Sequence, residues 1–245
     1  MKKIPNIFKP KKNYELVRLG KKNDGGYLLG NNTLDNVSCL ISLGIALDAS
    51  FEEDFFKRTN KKVFMYDKFH FKYYFKNDFL LSLNTLRNFK IYEPISILKK
   101  FFKLKKFAKK NYFYVKHISY NSLSNIIETF NFDGKFLIKI DIEGSEYRVL
   151  DCLLKKQNKI ECIIIEFHDI DLHQDKIINF IKLFKLNLTH THANNFGIAD
   201  QYNNPTVLEM TFEKNPKIIN KKIIIPHKLD MKNNPIKKDF NNYFK

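Results

Sequence analysis

Short apolar segments alternate along the chain with segments whose apolar residues recur at helical spacing, and this alternation constrains the fold more than any other feature. The strand-like segments are VSCLISLGIA (37–46), KKVFMYDKF (61–69), YFYVKHISY (112–120), KFLIKIDIEG (135–144) and IECIIIEFHD (160–169). The helical patterns cover 48–59, 121–130, 145–159 and 172–187. Nearly continuous apolar strands separated by helices predict an α/β fold whose mostly parallel sheet is covered on both faces.

Two further strand-like segments, LTHTHANN (188–195) and PTVLEMTFEK (205–214), follow each other without a helix between them. They predict a C-terminal antiparallel hairpin at one edge of the sheet. His190 and His192 share a face of this hairpin, and we expect them to point towards the mouth of a crevice. Glu209 lies between apolar residues, so we expect it to be buried beside a partner such as a histidine.

Ligands of such sheets bind beyond the carboxyl ends of the strands, where the strand order reverses. Acids, histidines and a glycine lie at the predicted strand ends, namely Gly44, Asp67, Asp141, Glu143, Glu166, His168 and the segment 190–195. Asp141 and Glu143 are two residues apart, which would place both carboxylates on one face of their strand. The sequence therefore predicts one crevice in which these groups meet.

The formal net charge is +17, but its source is mostly lysine scattered among asparagine, isoleucine and phenylalanine. Such a mixture is expected of an AT-rich genome, and lysine indicates specific phosphate recognition less strongly than arginine does. The charge alone therefore selects no partner, and we expect nucleic acid not to be one.

The composition indicates a soluble cytoplasmic protein. No apolar run approaches the ~20 residues that span a bilayer, and no long apolar region follows the lysines of the N-terminus. The three cysteines are unclustered, as expected of buried thiols in a reducing compartment. We expect a single domain over residues 1–213 and a basic C-terminal extension over 214–245, forming a strap or a partly disordered tail.

The segment 75–111 is longer than one crossover helix and is predicted to be a helical insertion. Lysines separate the apolar residues of its second half. One interpretation is a helix packed on the sheet with a solvated lysine face. The other is a basic amphipathic helix that binds a partner or an anionic membrane, which would bring the protein to the inner face of the membrane.

The first strand ends in a turn with a single glycine, Gly44, and this limits the cofactor. The glycine-rich fingerprint of dinucleotide binding and the lysine of a phosphate-binding loop are both missing, which disfavours NAD and ATP. S-adenosyl-L-methionine has no phosphates and fits a glycine turn, a crevice and a strand-end acid for its ribose hydroxyls. Asp67 is placed to be that acid, and an ordinary capping role is the alternative.

Several motifs together resemble the FkbM-type S-adenosylmethionine-dependent methyltransferases, and the first two of them resemble a bacterial branch of that family often found with surface-polysaccharide genes. They are NDGGYLL (23–29), SLGIALDASFEEDF (42–55), SLSNIIETF (122–130), LIKIDIEGSEYRVL (137–150) and ECIIIEFH (161–168). The resemblance spans roughly residues 16 to 212. It implies a Rossmann-like class I methyltransferase sheet and O-methylation of a sugar hydroxyl in a nucleotide-sugar or surface polysaccharide such as a capsule.

On this resemblance, the expected cofactor-binding residues are Asp24, Gly25, Tyr27, Gly44, Ser50, Glu52, Asp67 and Asp141. Residues 24–27 would close over the cofactor, although they could also form only a turn. The expected catalytic residues are Asp141, Glu143, His168 and His192.

Two ways of activating the acceptor hydroxyl remain open. In one, Asp141 acts as a general base with His168 or His192. In the other, a divalent metal (Mg or Mn) is held by Asp141, Glu166, His168 and His192 and lowers the pKa of the hydroxyl. The base route is slightly favoured because no tight metal-ligand spacing occurs in the sequence. Each of these residues also has a structural alternative, such as a strand-end cap or a buried pair.

Two other functions compete with a sugar O-methyltransferase. The basic charge would suit an RNA-directed methyltransferase, but DIEG (141–144) stands where base-amine methylation commonly uses an Asn- or Asp-Pro-Pro-aromatic turn. A non-catalytic module that docks on a membrane through 96–110 is the third candidate, and clustered acids and histidines argue against it.

Overall fold

The computed structural model describes residues 3–83, 92–130, 135–219, 222–241 and 243–244. The strands are β1 (Leu16–Gly20), β2 (Gly26–Gly30), β3 (Val37–Leu43), β4 (Val63–Asp67), β5 (Tyr112–Val115), β6 (Lys135–Ile140), β7 (Ile160–Phe167), β8 (Asn187–Ala193) and β9 (Leu208–Glu213). The α-helices are α1 (Asn31–Asn36), α2 (Ser50–Thr59), α3 (Phe71–Leu83), α4 (Tyr92–Ala108), α5 (Tyr120–Thr129), α6 (Leu150–Lys156) and α7 (Ile170–Leu183). Short 3-10 helices cover Asn6–Phe8, Glu146–Arg148 and Gln157–Lys159.

Strands β3 to β9 form one seven-stranded sheet in the order β5-β4-β3-β6-β7-β9-β8. The strands from β5 across to β7 are parallel, whereas β9 pairs antiparallel with both β7 and β8. The predicted α/β class, the mostly parallel sheet and the C-terminal antiparallel hairpin are therefore confirmed. The chain turns outward from β3 in both directions, which makes β3 and β6 the switch point of the sheet.

A separate two-stranded sheet, β1 paired antiparallel with β2, precedes the main sheet. Gly25, in the left-handed region at φ 82°, helps close the hairpin. A turn was one of the two expectations for residues 24–27, but the two strands around it were not predicted.

Helices cover both faces of the main sheet, and each face has its own apolar core. On one face, α5, α6 and α7 contribute residues such as Leu123, Leu153 and Phe180. On the other, α2 and α4 pack beside the β1–β2 hairpin and bury residues such as Phe55 and Leu104. This double cover explains why the central strands are apolar on both faces.

The described part of the predicted insertion 75–111 is helical and forms most of α3 and α4, while 84–91 lie outside the described residues. The described part of the C-terminal extension packs back on the domain as a strap. Ile4 donates a backbone hydrogen bond of 2.9 Å to the carbonyl of Tyr243, and the Tyr243 side chain is buried. In the described part of the chain, no helix is both long enough and apolar enough to cross a membrane.

Candidate active site

A cleft opens at the carboxyl ends of β3, β4 and β6, at the switch point of the sheet. Its cavity volume is about 460 Å³, within the range of small-molecule sites. Among the expected site residues, those that line it are Asp24, Gly25, Tyr27, Gly44, Glu52, Asp67, Asp141 and Glu143. Ser50 lies just behind this lining, where its hydroxyl donates a 3.3 Å hydrogen bond to the carbonyl of Gly25.

The turn after β3 can only be built with glycine at position 44. Gly44 has φ 85°, and a Cβ atom there would lie 1.6 Å from the carbonyl oxygen of Asp141. The turn thus brings the ends of β3 and β6 into direct backbone contact. This close approach fixes the floor of the cleft between the two central strands.

Asp67 stabilises this turn. Its Oδ2 accepts hydrogen bonds from the backbone N–H groups of Ile45 (2.8 Å) and Ala46 (2.9 Å). Its Oδ1 accepts from the N–H of Phe69 (3.0 Å) and from the hydroxyl of Tyr74 (2.6 Å). A carboxylate has about four acceptor sites, so all of them are occupied. A ribose hydroxyl could bind to Asp67 only by replacing one of these partners, and Tyr74 is the one whose side chain can move.

Lys139 is a buried cation in the middle of the cleft floor, with only 4% of its surface exposed. Its ammonium donates a 3.0 Å hydrogen bond to the Gly44 carbonyl and lies 3.8 Å from both Glu52 Oε1 and Asp141 Oδ2. Burial alone would lower the pKa of Lys139, but the charges of Glu52 and Asp141 outweigh it and raise the pKa. The lysine therefore stays charged and balances the two acids.

Tyr27 joins Asp141 to Glu166. Its hydroxyl lies 3.0 Å from Glu166 Oε2 and 3.3 Å from Asp141 Oδ2, and the ring packs against the ammonium of Lys139. Asn194 donates a 2.7 Å hydrogen bond to the other oxygen of Glu166. Burial, with the charge of Asp141, raises the pKa of Glu166 well above its usual range. Both oxygens of Glu166 are thus used in hydrogen bonds with Tyr27 and Asn194, and Glu166 does not line the cleft.

The segment after β6 is a turn, which corrects the expectation that Asp141 and Glu143 share a strand face. The strand ends at Ile140, and Glu143 and Gly144 both have positive φ, at 53° and 86°. Buried Glu146 holds this turn, because its Oε1 accepts hydrogen bonds from the N–H groups of Ile142 (3.0 Å) and Gly144 (3.2 Å).

The same Glu146 oxygen lies 3.2 Å from Nδ1 of His168, while Nε2 of His168 lies 3.4 Å from Oε2 of exposed Glu143. Burial would lower the pKa of His168, but its hydrogen bond to Glu146 and the surrounding carboxylates outweigh burial and raise the pKa to about 9. The imidazole is therefore cationic near neutral pH, and in this state it cannot accept a proton.

The donor set at the cleft edge would fit a divalent metal. Asp141, Glu143 and His168 each offer one ligand atom, and these atoms all lie within 4.8 Å of one another. The two carboxylates suit Mg or Mn, whereas the imidazole, which can bind a metal only after losing its proton, is more typical of Zn, Fe, Ni or Cu. The grouping differs from the expected one, because Glu143 takes part and the expected ligands Glu166 and His192 do not.

His192 lies away from the cleft, which corrects its expected place beside Asp141 and His168. It is buried on β8, where Nδ1 lies 3.2 Å from Glu209 Oε2, and the strap residue Asn233 donates a 2.6 Å hydrogen bond to Glu209 Oε1. The neighbouring His190 lies 2.8 Å from Asp230, also in the strap. The sequence pattern placed both histidines on one face but could not foresee that the C-terminal segment covers it. The expected buried partner of Glu209 is confirmed.

Sequence reasoning missed the roles of Lys139, Glu146 and Tyr74. Lys139 and Glu146 both lie in the motif LIKIDIEGSEYRVL (137–150), and a lysine inside an otherwise apolar strand was the available signal for a buried ion pair. Tyr74 had no signal, because its contact with Asp67 depends on the start of α3.

The sequence matches no protein-family profile, and no curated protein matches it significantly. Solved structures do resemble it. EvdMO1 has a TM-score of 0.39 at 7% identity over 74% of this chain, which spans 38% of the length of EvdMO1. A precorrin-6y C5,15-methyltransferase from Geobacter metallireducens has a TM-score of 0.39 at 13% identity, and the match covers 75% of this chain and 86% of the methyltransferase. An rRNA methylase from Streptococcus thermophilus has a TM-score of 0.40 at 10% identity, and the match covers 75% of this chain and 93% of the methylase. These likenesses are too distant to indicate a reaction or a substrate.

Proposed function

We propose that the protein is an S-adenosylmethionine-dependent O-methyltransferase of the FkbM type, acting on a sugar hydroxyl of a nucleotide-sugar or surface polysaccharide. The observation that carries this proposal is the acid-lined cleft at the switch point, between the Gly44 turn and Asp141. The cofactor has a sulfonium cation and no phosphates. It is therefore compatible with a cleft lined by carboxylates and with a turn that has a single glycine.

In the proposed reaction, the acceptor hydroxyl attacks the methyl carbon in line with the carbon–sulfur bond. The oxygen–carbon bond forms, the carbon–sulfur bond breaks with its electron pair on sulfur, and the hydroxyl proton passes to Asp141. Tyr27 and Lys139 both contact Oδ2 of Asp141, which holds the carboxylate in place. We assign the proton to Oδ1. His168, with a pKa of about 9, is not the base and instead contributes a positive charge.

The metal route is the second form of this proposal. Asp141, Glu143 and His168 would hold the ion, and a bound Mg or Mn would lower the pKa of the acceptor hydroxyl. His168 would then have to lose its proton, so metal affinity should increase with pH.

Transfer of labelled methyl groups to a panel of nucleotide-sugars and short glycans tests the acceptor class. Asp141→Asn should lower kcat by ~100-fold or more, the usual effect of losing a general base. Asp151→Asn, at an exposed acid on α6, is the matched control and should leave the rate unchanged. Chelator with and without added Mn distinguishes the two routes. Transfer of the label to RNA, with none to any sugar, would contradict a sugar acceptor.

A further inference from the structure

The paired helices α3 and α4 bury one side and expose an apolar surface on the other. On the inner side, the rings of Phe75 and Phe101 stack with centroids 4.2 Å apart, and Leu104 and Phe107 enter the core. These inner residues recur at helical spacing and are packed against the rest of the domain. This packing does not account for the large apolar side chains that the two helices also expose to solvent.

Large apolar side chains are concentrated where α3 ends and α4 begins, and we name this region the hairpin tip. Its residues, all exposed, are Leu80, Leu81, Leu83, Tyr92 and Ile95. The two helices pack together at Phe75 and Phe101, and both Leu81 near the end of α3 (67% exposed) and Tyr92 at the start of α4 (76% exposed) lie outside this contact.

The outer face of α4 continues this surface and adds positive charge. Ile95, Lys99, Phe102 and Lys106 follow one another at intervals of three or four residues, so they lie along one side of the helix. All four are exposed, Phe102 at 59%. Lysine and large apolar side chains thus alternate on a face that points away from the core, so one surface offers both apolar contact and the positive charge that anionic lipid attracts.

We propose that the α3–α4 hairpin docks the protein on an anionic membrane surface. The apolar side chains of the hairpin tip enter the headgroup layer, and the lysines of α4 contact lipid phosphates. Exposed leucine and isoleucine favour lipid over nucleic acid, and neither α3 nor α4 contains an arginine that could bind a phosphate in bidentate fashion. The charge of the whole chain, +17, adds to the attraction. This inference goes beyond the proposed function and does not depend on it.

Docking in this way would keep the cleft close to the membrane. Tyr74, in the first turn of α3, lines the cleft, and the hairpin tip begins at the other end of the same helix. A helix of 13 residues is about 20 Å long. An acceptor held at the membrane surface would then be within reach of the cleft.

Co-sedimentation of the full chain with vesicles tests the proposal. We expect binding to equimolar phosphatidylglycerol and phosphatidylcholine, no binding to phosphatidylcholine alone, and weakening by salt. The triple variant Leu81→Ser/Ile95→Ser/Phe102→Ser should bind about tenfold more weakly or worse. The matched control, Leu172→Ser/Ile198→Ser/Ile236→Ser, removes three apolar residues elsewhere that are even more exposed, and it should bind like wild type.

Charge is tested separately by Lys99→Glu/Lys106→Glu, which should also release the protein from anionic vesicles. Urea unfolding like that of the wild-type protein would show that these variants fold, and none of the substituted residues lines the cleft. Equal binding to both vesicle types, or wild-type binding by the triple variant, would overturn the proposal. So would binding to an RNA oligonucleotide in the absence of any binding to vesicles.

Discussion

The hydroxyl of Tyr74 donates a 2.6 Å hydrogen bond to Oδ1 of Asp67, the carboxylate that sequence reasoning reserved for the ribose of the cofactor. Because the remaining acceptor sites of Asp67 are used by backbone N–H groups, Tyr74 and a ribose hydroxyl would compete for the same oxygen. In this structure Asp67 organises the Gly44 turn. Ribose recognition by Asp67 therefore stays a prediction, and it requires Tyr74 to move.

Tyr74→Phe should strengthen S-adenosylmethionine binding, because it frees Oδ1 without disturbing the backbone hydrogen bonds. The expected gain is about two- to tenfold in Kd, the equivalent of one net hydrogen bond. Asp67→Ala should instead lower the free energy of unfolding by about 2 kcal/mol or more, because it leaves buried N–H groups without an acceptor. Calorimetric titration and urea unfolding measure the two effects. Unchanged or weaker cofactor binding by Tyr74→Phe would contradict the competition.

Gly44→Ala and Gly144→Ala form a matched pair. Both glycines have φ near 85°, so alanine strains the backbone similarly at each position, by about 1–2 kcal/mol. At Gly44 the added methyl would also meet the carbonyl of Asp141 at 1.6 Å, whereas at Gly144 the nearest atom is 3.9 Å away. We expect Gly144→Ala to fold with modest loss and Gly44→Ala to lose far more stability. Equal losses in urea unfolding would argue against the close contact of the two strand ends.

Lys139→Met should destabilise the fold by about 3–5 kcal/mol, because Glu52 is left as an uncompensated buried acid. Lys139→Met/Glu52→Gln should recover part of this loss, since it removes both charges. A double-mutant cycle in urea measures the coupling. If the two single losses simply add, Lys139 and Glu52 do not form the ion pair described above.

The buried pair of His192 and Glu209 should make stability depend on pH. Burial would lower the pKa of His192, but the hydrogen bond and charge of Glu209 outweigh it and raise the pKa to about 9. A raised histidine pKa stabilises the fold fully below the unfolded value of about 6.5, and this contribution disappears as the pH rises through 9. We expect a loss of about 1–3 kcal/mol across that interval. His192→Gln should reduce the loss, and an unchanged pH profile would contradict a charged pair.

The strands of the main sheet and the helices between them could be predicted because apolar periodicity records which faces are buried, whereas β1, β2 and α1 were not predicted. The gathering of Gly44, Asp67 and Asp141 could also be predicted, since parallel strands end at one edge of the sheet. His192 was misplaced because its environment is built by residues 227–233, far along the chain and without regular secondary structure. The geometry of Glu143 could not be predicted either. The prediction relied on side chains alternating between the two faces of a strand, and a turn with positive φ interrupts that alternation.

Isothermal titration calorimetry with S-adenosylmethionine and its demethylated product, with and without chelator, tests the central claim most directly. We predict micromolar binding of both ligands to the wild-type protein, weakened in Asp141→Asn and unchanged in Asp151→Asn. Weaker binding in chelator would favour the set of Asp141, Glu143 and His168 as a metal site. Absence of binding under every condition, in protein that folds cooperatively, would contradict the assignment of the cleft as a cofactor site.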